Sequence, residues 1–86
     1  MYSLVLHREA LKFYKRLQPG LRDRVFEALN LLQKDPLRRD IDIKALRGEL
    51  KGKHRLKLGD IRIVYKFEYE TRRIFVLAIS WRGSAY

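Results

Sequence analysis

His54-Arg55-Leu56-Lys57-Leu58-Gly59-Asp60-Ile61-Arg62-Ile63-Val64-Tyr65-Lys66-Phe67 consists of two β-prone runs on either side of a Gly-Asp pair. Such runs across a two-residue, glycine-containing turn predict a β-hairpin with strands 54–58 and 61–67. So short a turn also sets the pairing: Leu58 faces Ile61, Lys57 faces Arg62, Leu56 faces Ile63 and Arg55 faces Val64. Side chains alternate across a strand, so Leu56, Leu58, Ile61, Ile63, Tyr65 and Phe67 share one face, the natural core side. Arg55, Lys57 and Arg62 fall together on the other.

Like charges facing each other across strands are destabilising by up to ~1 kcal/mol. Neither strand supplies an acidic residue on that face: Asp60 lies in the turn and Glu68 lies beyond Phe67. Two readings stand at this point. Long cationic side chains can splay into water at little cost, or a bound anion such as a phosphodiester can relieve the repulsion.

Outward from the hairpin, Glu68–Arg72 reads as a second turn and Arg73–Ser80 as a third strand. Its run Ile74-Phe75-Val76-Leu77-Ala78-Ile79 is apolar at every position, the pattern of a central strand covered on both sides. With Phe75, Leu77 and Ile79 assigned to the core, Arg82 has the parity of the cationic face. Trp81 and Tyr86 follow, each able to stack on a base (worth roughly 1–3 kcal/mol), or else to pack at the sheet edge and to fray at the terminus respectively.

Upstream, Tyr2–Leu6 is a short β-prone run. From His7 the period becomes helical, with Ala10, Leu11, Tyr14 and Leu17 on one face. Pro19-Gly20 is expected to end that helix and turn the chain. A second helix carries Leu21, Val25, Ala28, Leu29 and Leu32 toward the core, and Asp35-Pro36 stops it. Residues 36–52 read as a polar connection of weak structure, with Ala45 and Leu46 tucked against the core. The expected fold class is α+β in the order β-α-α-β-β-β, an antiparallel-rich sheet under a helical hairpin, in a single domain spanning residues 1–86.

Twenty Lys and Arg against ten Asp and Glu give a net charge of +10 in 86 residues. Residues 44–86 hold eleven basic and four acidic residues, net +7, against nine and six, net +3, in residues 1–43. A field of this size draws in polyanions, with strong salt dependence. The chain has no cysteine and two histidines, which excludes disulfides and thiolate zinc sites and leaves too few ligands for a histidine metal site. No apolar run reaches membrane-helix length and no signal-peptide core is legible, so the expected location is cytoplasmic. There is no glycine-rich phosphate loop, paired-histidine motif or nucleophile elbow. His54 shares parity with Leu56 and Leu58, which points to a core-edge histidine more than to a catalytic base; His7 opens the first helix.

The residues Leu46-Arg47-Gly48, His54 through Tyr65, Val76-Leu77-Ala78-Ile79 and Trp81-Arg82 with Tyr86 resemble the RelE/ParE toxin superfamily, and on its RelE branch the messenger-RNA interferases. Length and element order agree along the whole chain. The resemblance implies a microbial-ribonuclease-like fold and a toxin neutralised by a cognate antitoxin, monomeric alone and part of a larger complex with it. It implies mRNA cleavage in the ribosomal A site with no metal or other cofactor, by attack of the ribose 2′-OH on the adjacent phosphate. Under it, Arg55 and Lys57 stabilise the transition state, Arg62 grips the phosphate and Arg82 assists the leaving group. Tyr86 stacks on the base or takes the 2′-OH proton. Lys44, Arg47, Lys51, Lys53 and Trp81 become RNA contacts, the four cations meeting ribosomal RNA through its phosphates.

The chain departs from the pattern in placing Arg55 where some members have lysine, Trp81 where many have histidine, and Tyr86 at its last position. The alternative is a ParE-type toxin that poisons DNA gyrase and cuts nothing. ParE members share the fold but typically lack the full set formed here by Arg55, Lys57, Arg62, Arg82 and Tyr86.

Overall fold

The computed structural model of the chain describes residues 1–84. Eight elements follow one another: β1 (Ser3–Leu6), α1 (Arg8–Arg16), α2 (Pro19–Lys34), β2 (Asp42–Ala45), a 3-10 turn (Gly48–Leu50), β3 (His54–Leu58), β4 (Ile61–Glu68) and β5 (Arg73–Trp81). The strands form one five-stranded sheet in the order β1-β5-β4-β3-β2. Only β1 and β5 run parallel; the other neighbours are antiparallel.

The hairpin at residues 54–67 has the expected register, with Lys57 opposite Arg62 and Arg55 opposite Val64. Gly59 supplies the positive φ of 59° that the tight turn requires, which would strain any residue with a Cβ. Leu56, Ile61, Ile63 and Tyr65 from this hairpin pack with Val25, Leu29 and Leu32 of α2 and Ala10 of α1 into one core. Both helices therefore cover the same face of the sheet.

The two helices form as their periodicity predicts, but Pro19-Gly20 does not separate them. Pro19 is the first residue of α2, where a missing N–H costs nothing and the fixed φ suits the helix. The link is Leu17-Gln18, with the Leu17 N–H bonded to the Tyr14 carbonyl at 3.2 Å.

Residues 36–52 hold more order than expected, because Asp42–Ala45 pairs with β3 as an edge strand. Ile41 and Ile43 pack against the core; Ala45 is exposed and Leu46 only half-buried. Two polar anchors place this strand. The Tyr65 hydroxyl, fully buried, donates to the Pro36 carbonyl at 2.6 Å. Arg38 forks onto both carboxylate oxygens of Asp40 at 2.6 and 2.7 Å and also reaches the Leu31 carbonyl.

The facing of β5 also differs from the expectation. Its core residues are Ile74, Val76 and Ile79, whereas Phe75 and Leu77 are half-buried on the side away from the helices. A bulge explains the change of parity: Val64 pairs with Ala78 but its neighbour Tyr65 pairs with Val76, leaving Leu77 as the extra residue. Nor is β5 covered on both faces by helices. On the open face Phe75 lies beneath the ammonium of Lys66, 5.4 Å from the ring centroid, which shields part of the ring.

Candidate nucleic-acid interface

The face of the sheet away from the helices has no element packed over it among the described residues, and the strand register determines what it presents. One row across four strands reads Asp42, Lys57, Arg62, Ser80; the next reads Lys44, Arg55, Val64, Ala78. Arg55, Lys57 and Arg62 are thus brought together as expected, with Lys44 beside them. Directly paired residues on neighbouring strands stand about 4.5–5.5 Å apart at Cα, so the cations can address a single phosphate.

The repulsion between Lys57 and Arg62 is met in two ways. Arg62 leans on the hairpin turn, its Nη1 donating to the Gly59 carbonyl at 2.6 Å and to the Ile61 carbonyl at 3.1 Å. Its Nε and Nη2 make no hydrogen bond among the described residues, so the guanidinium is oriented yet retains donors for an anion. Asp42, which no reading of the hairpin alone could supply, lies opposite Lys57 and puts its Oδ1 3.5 Å from Nη2 of Arg55. The Arg55 side chain is only 14% exposed, the Asp42 side chain 57%. A half-sunken guanidinium is thereby held by a carboxylate that water can also reach. Lys57 is exposed and has no ion pair among the described residues.

Arg82 lies at the same end of the sheet as Lys57 and Arg62. Its N–H donates to the Asp60 carbonyl at 2.6 Å, tying the end of β5 to the hairpin turn. Arg47, Lys51 and Lys53 belong elsewhere: they flank the 3-10 turn between β2 and β3, at the other end of β3 from the turn at Gly59. Trp81, paired with the core residue Ile61, packs edge-on against Phe13 of α1 at 5.5 Å, on the helix side of the sheet. Tyr86 lies outside the described residues.

Sequence reasoning missed Asp42 and Ser80. The signal for the first was present in the alternation of Ile41 and Ile43 with Asp40, Asp42 and Lys44, hidden by the brevity of the run. Ser80 faces Arg62, and its Oγ is buried without a hydrogen-bond partner among the described residues, so a donor and acceptor stand unused beside the cationic row. His54 stacks on Tyr65 and lies against Phe67, with ring centroids 5.7 and 5.5 Å away. Burial lowers its pKa below the ordinary histidine value. It is the core-edge histidine its parity implied. His7 caps α1, its Nδ1 accepting from the Glu9 N–H at 3.2 Å.

The five-stranded sheet backed by two helices has counterparts among known proteins. The RelE1 protein of Methanocaldococcus jannaschii, whose name carries a provisional toxin assignment, is 29% identical over 99% of this chain and 94% of its own length. The chain is similar along its length to the RelE toxins of the RelE/ParE superfamily. Among solved structures, the archaeal RelE–RelB complex of Pyrococcus horikoshii matches with a TM-score of 0.83 and 27% identity, covering 98% of each chain. The toxin–antitoxin complex RelBE2 of Mycobacterium tuberculosis matches at 0.80 and 28%, covering 94% of this chain and 98% of the other. No family model matches the sequence. These RelE likenesses run the length of the chain, and they agree with the α+β fold of two helices on a mixed sheet.

Proposed function

We propose that this chain is the toxin of a toxin–antitoxin pair and a ribosome-dependent endoribonuclease, acting in the cytoplasm as a single domain. The observation that carries the reading is the row in which Lys57 faces Arg62, with Arg55 beside it, on a sheet face that no other element covers among the described residues. Such clustering costs stability unless an anion is to be bound there.

In the proposed reaction the ribose 2′-oxygen attacks the adjacent phosphorus as its proton leaves. The bond from phosphorus to the 5′-oxygen then breaks, giving a 2′,3′-cyclic phosphate and a 5′-hydroxyl end. No metal ion is assigned a part. Negative charge builds on the phosphorane, and prearranged guanidinium and ammonium groups stabilise it more than they stabilise the ground state. Arg62, already oriented by the Gly59 and Ile61 carbonyls, is assigned to the phosphate, with Arg55 and Lys57 on the equatorial oxygens. Arg82 is assigned to the departing 5′-oxygen, and Tyr86 to base stacking or the 2′ proton. The ribosome would hold the substrate strand in line for attack, a positioning that an open sheet face cannot supply alone.

The partner that restrains this activity is a cognate antitoxin. A neutralising segment carrying acidic residues fits the cationic face, and the similar Mycobacterium tuberculosis and Pyrococcus horikoshii structures are a toxin–antitoxin complex and a RelE–RelB complex. Lys44, on the same face, and Arg47, Lys51 and Lys53, on the adjoining loop, are assigned to ribosomal RNA phosphates.

The test is primer extension on a defined mRNA incubated with the purified protein, with and without translating ribosomes. Cuts inside codons that need ribosomes are expected, with each of Arg62→Ala and Arg82→Ala slowing them about 10²–10³-fold. Intact mRNA beside poisoned gyrase on supercoiled DNA would replace this reading with the ParE one.

A further inference from the structure

Trp81 is the one tryptophan of the chain, and it faces away from the cationic row. It is 45% exposed and borders a cavity of about 500 Å³ between α1 and the end of β5. Pockets that take small ligands run from about 300 to 1,000 Å³. Phe13 and Trp81 form aromatic walls, Leu17 and Ile79 contribute apolar surface, and Lys12 and Arg16, one helical turn apart on α1, line the same cavity. Lys12 is paired with Glu9 at 3.8 Å, whereas Arg16 has no ion pair among the described residues.

We infer that this cavity is a subsite for one unstacked nucleobase of the RNA, held against Trp81, with the flanking phosphate on Arg16. Three observations converge on it. A flat, half-exposed indole beside a free guanidinium is the pairing that single-stranded nucleic acid exploits, bases on the ring and phosphates on the cation. The lining mixes polar with apolar groups, where a pocket for a purely apolar side chain of a partner protein has no use for Arg16. The cavity also adjoins the proposed cutting site: Ser80 stands in the row with Arg62, and Trp81 is the next residue along β5, about 3.3 Å further on and turned to the other face. A strand crossing the open face and passing the end of β5 can thus leave its phosphate on Arg62 and drop a neighbouring base behind the sheet. This deepens the RNA-directed reading, because such a subsite selects among bases while the cationic row does not.

The lone tryptophan is its own probe. Red-edge-excited fluorescence of the intact protein is titrated with each of the four nucleoside 5′-monophosphates, with ribose 5-phosphate and with inorganic phosphate. Saturable quenching by at least one nucleotide is expected, absent with the two base-free phosphates and weakened about fivefold in Arg16→Ala, a change at the exposed rim that spares the core. Equal quenching by ribose 5-phosphate would reduce the cavity to an anion site and overturn the inference. So would silence toward every nucleotide, including the case in which only the antitoxin quenches, since the cavity would then seat a protein side chain. The outcome is separable from that of the cleavage assay: nucleotide quenching with intact mRNA keeps the subsite and discards the nuclease.

Discussion

Replacing Tyr65 with phenylalanine removes one oxygen atom and tests how the edge strand β2 is held. The Tyr65 hydroxyl has no access to water, donates at 2.6 Å to the carbonyl of Pro36, and Pro36 is itself buried. The net value of such a bond is about 0.5–1.5 kcal/mol, but a buried carbonyl left unpaired costs about 1–3 kcal/mol, so a loss of about 2 kcal/mol is expected. For a domain of this size that lowers Tm by about 8–16 °C. The assay is thermal and urea unfolding followed by circular dichroism. It carries a second arm, because burial first, and the charge of Asp35 second, raise the Tyr65 pKa above its ordinary value near 10. A raised pKa in the folded state means that the associated stability is complete below about pH 10 and disappears as pH rises beyond it. The wild type should therefore lose stability above about pH 10 more steeply than Tyr65→Phe, and the gap between them should narrow there. A difference below about 0.5 kcal/mol at neutral pH would refute the reasoning, since it would mean that the Pro36 carbonyl finds another partner at no cost.

Asp42→Asn should bind a non-cleavable single-stranded RNA about two- to fivefold more tightly at low salt, because the carboxylate competes for Arg55; equal or weaker binding in fluorescence anisotropy would show that it does not compete. With Arg55, Lys57 and Arg62 sharing one phosphate, Lys57→Ala should weaken binding of the same RNA at least about tenfold at low salt. Unchanged binding would place the RNA elsewhere. Burial lowers the His54 pKa, so the stability tied to its neutral form is present above about pH 6.5 and is lost as pH falls below it. The urea midpoint of the wild type should drop between about pH 7.5 and 5 more than that of His54→Phe, and parallel curves would assign the acid sensitivity to another group.

The hairpin was the legible part of this fold, and for a physical reason. A two-residue turn leaves one register, so Lys57 opposite Arg62 followed from counting residues. The helices were legible from their apolar stripes, although Pro19 reads equally well as a turn or as a first helical residue. β2 escaped because four residues at a sheet edge, one of them half-buried, carry little periodic signal, and Asp42 escaped with it. The facing of β5 was misread because a bulge at Val64/Tyr65 is a property of a strand pair, and an unbroken apolar run does not record where the extra residue goes. Trp81 stayed on the side of the sheet opposite the cations for the same kind of reason: the identity of a residue does not state its neighbours, and only the packing of α1 brings Phe13 to it.

The parallel pairing of β1 with β5 joins Ser3 to Arg73, seventy residues later in the chain. At about 5–20 residues per second of synthesis, β1 waits about 4–14 s for its partner to be made. Until then the sheet lacks its second strand, the cationic row lacks Ser80, and the Phe13 face of α1 has no Trp81 to meet. Closure of so long a loop comes late in folding, after its local hairpins. The open cationic face is therefore completed in one late step, when β5 arrives, rather than built up strand by strand.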